Sequence, residues 1–474
     1  MRPSLQLMAF SALPLSQVSA EKVLGAYIFA RHGDRTAKIL KSTELTDLGY
    51  SEVYLTGSAY HSRYINSSSS QYIEGISEDV VKLSQLTASA PADAVLQNSA
   101  TGFLQGVYPP IGSISSQELA NGTTIESPLN GYQLIPLSFI DSGASSEDST
   151  WLQSTSDCQN AILSSNNYYS SELYTNLLDS TADFYDSLAP LINTSFSTTD
   201  ANFKNAYSIF DYLNVGSIHN TTNVPTDSQL HQAFLLANIG EYNLAYNSSE
   251  SIRAVAGQTL AAEMLMGLNE TVTGEGKVKL RIEFGAYATF LSYFGLAQLS
   301  AADDAFTGIP DYASSMAWEL VTNSTSDSFP DPDDISVRFV FHNGTLTSSS
   351  ELTSYPLYGE TSPTIPWSTF VEQTQKIAIT STEQWCQVCG NTDGQCASSS
   401  SNSDSDSDSA STDSASGSGG ISKAVAGVIG AMVTLAVILG LEALFLVFGG
   451  FRITKKGGAT VAAAEVAENK SAYR

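Results

Sequence analysis

Positively charged residues are scarce in this chain. Of its 474 residues, 21 are Lys or Arg and 48 are Asp or Glu, which gives a formal net charge of −27 and a pI of about 4.3. A surface this acidic repels a phosphate backbone, so nucleic acid is excluded as a partner. The same charge suits an acidic medium, because partial protonation of the carboxylates relieves their mutual repulsion.

Histidine and cysteine are also scarce. The five histidines are spread along the chain, so neither a metal centre nor a cofactor is expected. Cys386 and Cys389 form a Cys-X-X-Cys pair, but the sequence has no second such pair and no nearby histidine to complete a zinc site. In an oxidising compartment we expect two disulfides, and three pairings remain open among Cys158, Cys386, Cys389 and Cys396.

Two apolar segments flank the chain. Residues 1–20 have the pattern of a secretory signal peptide, with a small-residue cleavage site at Val18-Ser19-Ala20. Residues 423–451 are predicted to be a transmembrane helix, because Ala424 to Phe451 are apolar apart from Thr434 and Glu442 and are long enough to cross a bilayer core of about 30 Å. Basic residues follow directly, which predicts a cytosolic tail over residues 452–474. We therefore expect a single-pass type I membrane protein of the secretory pathway, with an extracellular or vacuolar, lumenal ectodomain.

The region between these segments has two parts. Residues 397–422 are rich in Ser and Asp, a composition that cannot bury a core and predicts a disordered stalk. Residues 21–396 are expected to form one α/β ectodomain with a helical insertion over about residues 130–275. Eight Asn-X-Ser/Thr sequons in the ectodomain predict a glycoprotein. They are Asn66, Asn121, Asn193, Asn220, Asn247, Asn269, Asn323 and Asn343.

A buried strand runs directly into a cationic loop near the start of the ectodomain. Residues 23–30 are apolar on both faces, as in a central parallel strand. Arg31-His32-Gly33-Asp34-Arg35, here called the signature loop, follows at the carboxyl end, where open α/β sheets bind ligands. Guanidinium groups grip phosphate oxygens, and an imidazole nitrogen can attack phosphorus. The alternative is a surface loop whose arginines pair with carboxylates such as Asp34, and the phosphate pocket is favoured.

The signature loop resembles the RHGxRxP motif of the histidine acid phosphatases, a family of the phosphoglycerate-mutase-like superfamily. The segments LTDLGYSEVYLTGSAYHSRYI, NSATGFLQGVYPP and GIPDYASSMAWELV resemble further blocks of that family in the same order. The chain is thereby identified as a divergent, membrane-anchored, fungal-type member. The resemblance implies a phosphoglycerate-mutase-like α/β fold, with a parallel-rich central sheet, flanking helices and an inserted, mostly helical subdomain.

The resemblance also implies the chemistry of a phosphomonoesterase. His32 would attack phosphorus and form a phosphohistidine, while Arg31 and Arg35 would hold the phosphoryl oxygens. The partner would then be a small phosphomonoester or inorganic phosphate. A family His-Asp pair would supply a further phosphate ligand and the proton for the leaving oxygen.

The sequence departs from the family at three positions. A family arginine four residues before Ser99 is replaced by Val95. Counting back from the FGL segment puts Glu283 and Phe284 where the His-Asp pair is expected. Glu283 is interpreted either as a substitute acid or as an ion-pair partner of the two arginines. His342, in the later segment VRFVFHNGT, is kept as the alternative second histidine.

These departures leave two functions open. The first is a membrane-tethered acid phosphatase of low activity that works through His32. The second is a catalytically degenerate relative that binds phosphate or other anions at the cell surface. The remaining histidines are expected to lie away from the substrate, with His61 at a surface or packing position and His219 and His231 facing solvent.

Overall fold

The computed structural model describes residues 21–40, 42–140, 157–326 and 328–397. The predicted signal peptide, stalk, membrane span and tail lie outside these ranges. Within the described ranges, the helices are all too short or too polar to cross a membrane.

A mixed sheet of eight strands forms the centre of the described region, in the order β10-β8-β7-β1-β6-β2-β5, with β9 on β8. Strands β1, β6, β2 and β5 are parallel, whereas β7 joins β1 antiparallel and begins the antiparallel half. A separate pair, β3-β4, lies outside the sheet. The strands are β1 (Lys22–Arg31), β2 (Leu86–Pro91), β3 (Gln117–Glu118), β4 (Thr124–Ile125), β5 (Ser138–Ile140), β6 (Leu280–Gly285), β7 (Ser315–Thr322), β8 (Ile335–His342), β9 (Thr353–Tyr355) and β10 (Thr364–Pro366).

Helices cover both faces of this sheet and fill the interval between β5 and β6. They are α1 (Asp47–Tyr60), α2 (Ala94–Val107), the single turn α3 (Pro128–Gly131), α4 (Gln159–Asn167), α5 (Glu172–Ser180), α6 (Ala182–Ser187), α7 (Ala189–Ile192), α8 (Ala206–His219), α9 (Asp227–Ala245), α10 (Val255–Thr273), α11 (Tyr287–Leu296), α12 (Trp367–Ile377) and α13 (Thr382–Cys389). The predicted α/β class is confirmed, with the parallel strands forming one half of the sheet, from β1 at the centre to β5 at the edge.

Strand β1 is central because both of its faces are apolar. Tyr27 and Phe29 belong to the core cluster that contains residues of α10 and α11. Ile28 and Ala30 belong to the cluster on the other face, with residues of α1 and α2. All four side chains are almost fully buried. Because the strand is held in the core on both faces, it fixes the point at which the signature loop begins.

The four cysteines form two disulfides, as predicted. Cys158 pairs with Cys389 and Cys386 pairs with Cys396, which selects one of the three pairings that the sequence left open. The first disulfide ties the start of α4 to the end of α13. It therefore fastens the helices between β5 and β6 to the C-terminal part of the described region.

The eight sequon asparagines all lie at exposed or partly exposed positions. This placement leaves room for a glycan at each, because a buried amide could not carry one. Their modification remains a prediction.

Candidate functional site

The signature loop lies at the carboxyl end of β1, in the middle of the sheet. Parallel pairing places Arg31 opposite Gly285, the last residue of β6. On the other side, the Arg31 amide donates to the Ser314 carbonyl at 2.8 Å, and the Ala313 amide donates to the His32 carbonyl at 2.9 Å. Ala313 holds a left-handed conformation, with φ of +58°. The loop is thus held by backbone hydrogen bonds to the residues that precede β7.

The His32 imidazole is buried, with 1 % of its surface exposed. Its Nδ1 atom lies 2.8 Å from the Gly33 carbonyl oxygen. Because a carbonyl can only accept, Nδ1 carries the proton and donates it, which leaves the lone pair of a neutral ring on Nε2. The loop therefore fixes the tautomer in which Nε2 is the nucleophilic nitrogen.

Gly33 lets the signature loop pass directly against α1. A Cβ atom on Gly33 would lie 2.2 Å from the Gly49 carbonyl oxygen, and a Cβ on Gly49 would lie 2.0 Å from the Asp34 carbonyl oxygen. The Gly33 amide also donates to Ser99 Oγ on α2 at 3.3 Å. Close backbone packing against α1 is enough to require glycine here, before any ligand is considered.

The Arg31 guanidinium lies between two tyrosine rings. Its Cζ atom is 4.7 Å from the centre of the Tyr312 ring and 5.4 Å from that of Tyr287. Its Nη1 atom donates to the Pro310 carbonyl, and its buried Nε atom has no hydrogen-bond partner among the described residues. Burial raises the pKa of Tyr312, so its hydroxyl stays neutral beside the two arginines.

Arg35 is paired with a carboxylate from α8. The Nη1 atom of Arg35 lies 3.1 Å from Asp211 Oδ1 and 3.3 Å from Oδ2, and Nη2 donates to the Tyr207 hydroxyl at 3.1 Å. Both charged side chains are nearly inaccessible, at 1 % and 3 % exposure. Sequence analysis offered Asp34 or Glu283 as the carboxylate partner, and no local pattern pointed to Asp211.

Asp34 turns away from the arginines and binds the far end of α8. Its Oδ2 atom lies 2.7 Å from Nε2 of His219 and accepts from the Thr46 hydroxyl. The Asp34 amide donates to Glu52 at 2.8 Å. His219 was expected to face solvent; its side chain is 37 % exposed, yet its ring contacts the signature loop.

Glu283 lies within β6 and not at its end. It pairs with Phe29, three residues before His32, so it is set back by about 10 Å along the strand. Its carboxylate accepts from the Tyr27 hydroxyl. Burial raises the pKa of Glu283 to about 7. This placement supports neither interpretation of Glu283, as substitute acid or as ion-pair partner of the arginines, because its carboxylate contacts Tyr27 within the sheet.

The residues that follow β6 come next to the end of β1. Gly285 lies opposite Arg31 as the last pair of the two strands, so Ala286 and Tyr287 leave β6 where His32 leaves β1. Ala286 has no proton donor or phosphate ligand in its side chain, and the Tyr287 hydroxyl donates to Glu241 at 2.9 Å. Glu283, the position that counting from the FGL segment gave, lies three residues before Ala286.

Val95 lies on α2, one helical turn before Ser99. Residues four apart share a helix face, and Ser99 Oγ accepts from Gly33, so Val95 lies on the face of α2 that contacts the signature loop. It is buried, with 1 % exposure. An apolar side chain thus stands where the resemblance implies a third arginine.

The other histidines lie apart from the signature loop. His342 ends β8 and its Nδ1 atom is 3.3 Å from the Glu351 carbonyl oxygen. The neighbouring Asn343 accepts from the Asp311 amide at 2.8 Å and from Ser314, so it supports the segment that holds the loop. His61 Nδ1 is 2.8 Å from the Val107 carbonyl, and His231 is exposed on α9.

Solved structures with a similar fold include phytases. The phytase of Klebsiella sp. ASR1 matches 76 % of this chain and 96 % of its own, with a TM-score of 0.51 and 11 % identity. The apo phytase of Hafnia alvei matches 80 % of this chain and 99 % of its own, with a TM-score of 0.51 and 12 % identity. The phytase of Citrobacter braakii matches 78 % of this chain and 99 % of its own, with a TM-score of 0.51 and 13 % identity. No protein-family model and no curated protein sequence matches the chain. The described region thus has a fold similar to that of these phytases.

Proposed function

We propose that the ectodomain is a histidine-acid-phosphatase-like phosphomonoesterase of low activity. The arrangement that carries this proposal is the hydrogen bond from His32 Nδ1 to the Gly33 carbonyl, which leaves the lone pair on Nε2 in a loop that also carries Arg31 and Arg35. Nε2 would attack phosphorus, the bond from phosphorus to the ester oxygen would break, and water would then hydrolyse the phosphohistidine.

The substrate class follows from what stands opposite His32. Ala286 cannot protonate a leaving oxygen, and a positioned acid typically contributes about 10²–10⁴ in rate. Esters whose leaving group is stable as an anion, such as aryl phosphates, do not need that proton. We therefore propose small aryl monoesters over alkyl monoesters. Inositol hexakisphosphate is a poor substrate in this proposal, because a chain with 21 basic residues offers few cations for a polyanion.

The test is hydrolysis of p-nitrophenyl phosphate by the purified ectodomain from about pH 3 to about pH 7. His32→Ala should abolish the activity, whereas His231→Ala, which removes an exposed histidine from α9, should leave it intact. Hydrolysis that persists unchanged in His32→Ala would assign the activity to another site.

A second candidate is a non-catalytic relative that binds phosphate or another anion. Two observations favour it: Val95 stands in place of a third arginine, and Asp211 pairs with Arg35. This candidate requires phosphate binding without turnover of any monoester, including p-nitrophenyl phosphate.

We also propose, from the sequence pattern, that the ectodomain is a glycoprotein held at a membrane by residues 423–451. Truncation before Ile421 should release a soluble glycoprotein. A truncated chain that stays with membranes after a carbonate wash would contradict single-span anchoring.

A further inference from the structure

The Asp211 carboxylate is bound as an oxyanion ligand would be bound. Its oxygens lie 3.1 and 3.3 Å from Arg35 Nη1. Oδ2 also accepts from the Lys38 amide at 2.8 Å, and the Tyr312 hydroxyl lies 3.5 Å from Oδ1. A guanidinium, a backbone amide and a hydroxyl are the donors that also bind phosphoryl oxygens.

Little space remains beside this carboxylate. The cavity that Asp211 shares with Arg31, Tyr312 and Pro310 measures about 30 Å³. A single water molecule needs about 10–15 Å³, so the cavity holds about two waters and no phosphoryl group. A phosphoryl group can therefore enter this cavity beside Arg31 only if Asp211 moves.

Helix α8 contacts the signature loop through three residues. Tyr207 and Asp211 contact Arg35, and His219, the last residue of the helix, contacts Asp34. Asp211 and His219 are about 12 Å apart along the helix axis. Ile209 and Leu213 anchor α8 in the core, so access to Arg35 requires that the Asp211 side chain turn away from the guanidinium.

We propose that α8 is an autoinhibitory element in which Asp211 occupies the phosphoryl site as an internal ligand. This inference rests on the proposed function of the signature loop. An anion must compete with Asp211, so its apparent affinity is the intrinsic affinity multiplied by the fraction of molecules in which the Asp211 side chain has left Arg35. A structural ion pair would look similar, but its removal would not improve anion binding.

The test measures binding of inorganic phosphate to the ectodomain by isothermal titration calorimetry. Asp211→Asn keeps the size of the side chain and an acceptor for Lys38 but removes the charge. It should tighten phosphate binding on the order of 10- to 100-fold, since a charge-assisted hydrogen-bond pair is freed. Asp186→Asn, an exposed carboxylate of α6, removes the same charge and should leave the affinity unchanged.

A second variant covers the case in which Asp211→Asn does not fold. His219→Gln removes the imidazole that contacts Asp34 at the exposed end of α8 and should tighten phosphate binding by a few-fold. Autoinhibition is refuted if Asp211→Asn folds and binds phosphate no better than the native protein. It is also refuted if every variant that folds leaves the affinity for phosphate unchanged. Micromolar phosphate binding by the native protein would also refute it, while leaving the proposed function intact.

The two proposals fail differently. Tighter phosphate binding by Asp211→Asn without any hydrolysis of p-nitrophenyl phosphate supports the internal ligand and refutes the phosphomonoesterase. Equal hydrolysis by the native protein and Asp211→Asn, lost in His32→Ala, supports the phosphomonoesterase and refutes the internal ligand.

Discussion

The Nε2 atom of His219 lies 2.7 Å from Oδ2 of Asp34, although 185 residues separate them in the sequence. This contact joins the last residue of α8 to the signature loop. The Asp34 side chain is fully buried, so an interacting group on α8 stabilises a carboxylate that lies in the core.

Removal of that contact should destabilise the domain modestly. His219→Ala takes away one partner of a buried carboxylate, so we expect the free energy of unfolding in urea to fall by about 1 kcal/mol. His231→Ala serves as the matched control on α9, with no expected change beyond about 0.5 kcal/mol. Equal stability of the two variants would mean that the His219 contact contributes nothing.

The raised pKa of Glu283 predicts that the stability of the domain depends on pH. The folded-state pKa is raised from 4.5 to about 7 by burial, with smaller effects of Tyr27, Glu263, Arg281 and Ser89. Between these two values the folded state binds more protons than the unfolded state. The free energy of unfolding should therefore fall as pH rises from 4.5 to 7, by up to about 3 kcal/mol from this group.

Substitution by an uncharged side chain isolates this effect. Glu283→Gln resembles the protonated carboxyl and should flatten the stability profile over that pH interval, whereas Glu372→Gln on the surface should not. The profiles come from urea denaturation at a series of pH values. An unchanged slope in Glu283→Gln would show that the carboxyl is ionised in the folded protein throughout.

The register of β1 and β6 predicts where a second phosphate ligand can be restored. In the Asp211→Asn background, Ala286→His should tighten phosphate binding by about tenfold, because an imidazole would then stand opposite His32. Glu283→His is the matched control and should give no gain, because its position lies deeper in the sheet. If only Glu283→His tightened phosphate binding, the position given by counting from the FGL segment would be the correct one.

Substitution of Gly33 tests whether this glycine is needed for packing against α1 or for the approach of a ligand. Gly33→Ala would place Cβ 2.2 Å from the Gly49 carbonyl oxygen, so we expect a loss of about 1–3 kcal/mol in unfolding free energy. In Gly240→Ala the nearest atom lies 4.0 Å away, and the helix should be stabilised by up to about 1 kcal/mol. Should Gly33→Ala keep its stability and lose only phosphate binding, the glycine would serve the ligand.

The strand and its loop could be predicted because they depend on local sequence. A stretch that is apolar on both faces is typical of a central strand, and β1 has that pattern up to Ala30. The α/β class follows from the same pattern. The two disulfides followed from the secretory context, but their pairing depends on how α4 and α13 meet, which no local pattern encodes.

The contacts that decide the state of the site are long-range. Asp211 meets Arg35 across 176 residues, and an aspartate on a helix looks like any solvent-exposed aspartate in the sequence. Glu283 was chosen by counting back from the FGL segment, and such a count does not give the strand register. The register places Glu283 opposite Phe29, and it depends on pairing between strands that are 250 or more residues apart.

The most direct test is to look for the covalent intermediate in the variant with the site opened. Asp211→Asn is incubated with p-nitrophenyl phosphate, quenched in alkali, because phosphohistidine is labile in acid, and digested for mass spectrometry. The account predicts a phosphoryl group on the peptide that contains His32, and none after His32→Ala. A folded Asp211→Asn protein that binds phosphate and hydrolyses the ester without modification of His32, or that never hydrolyses it, would contradict the account.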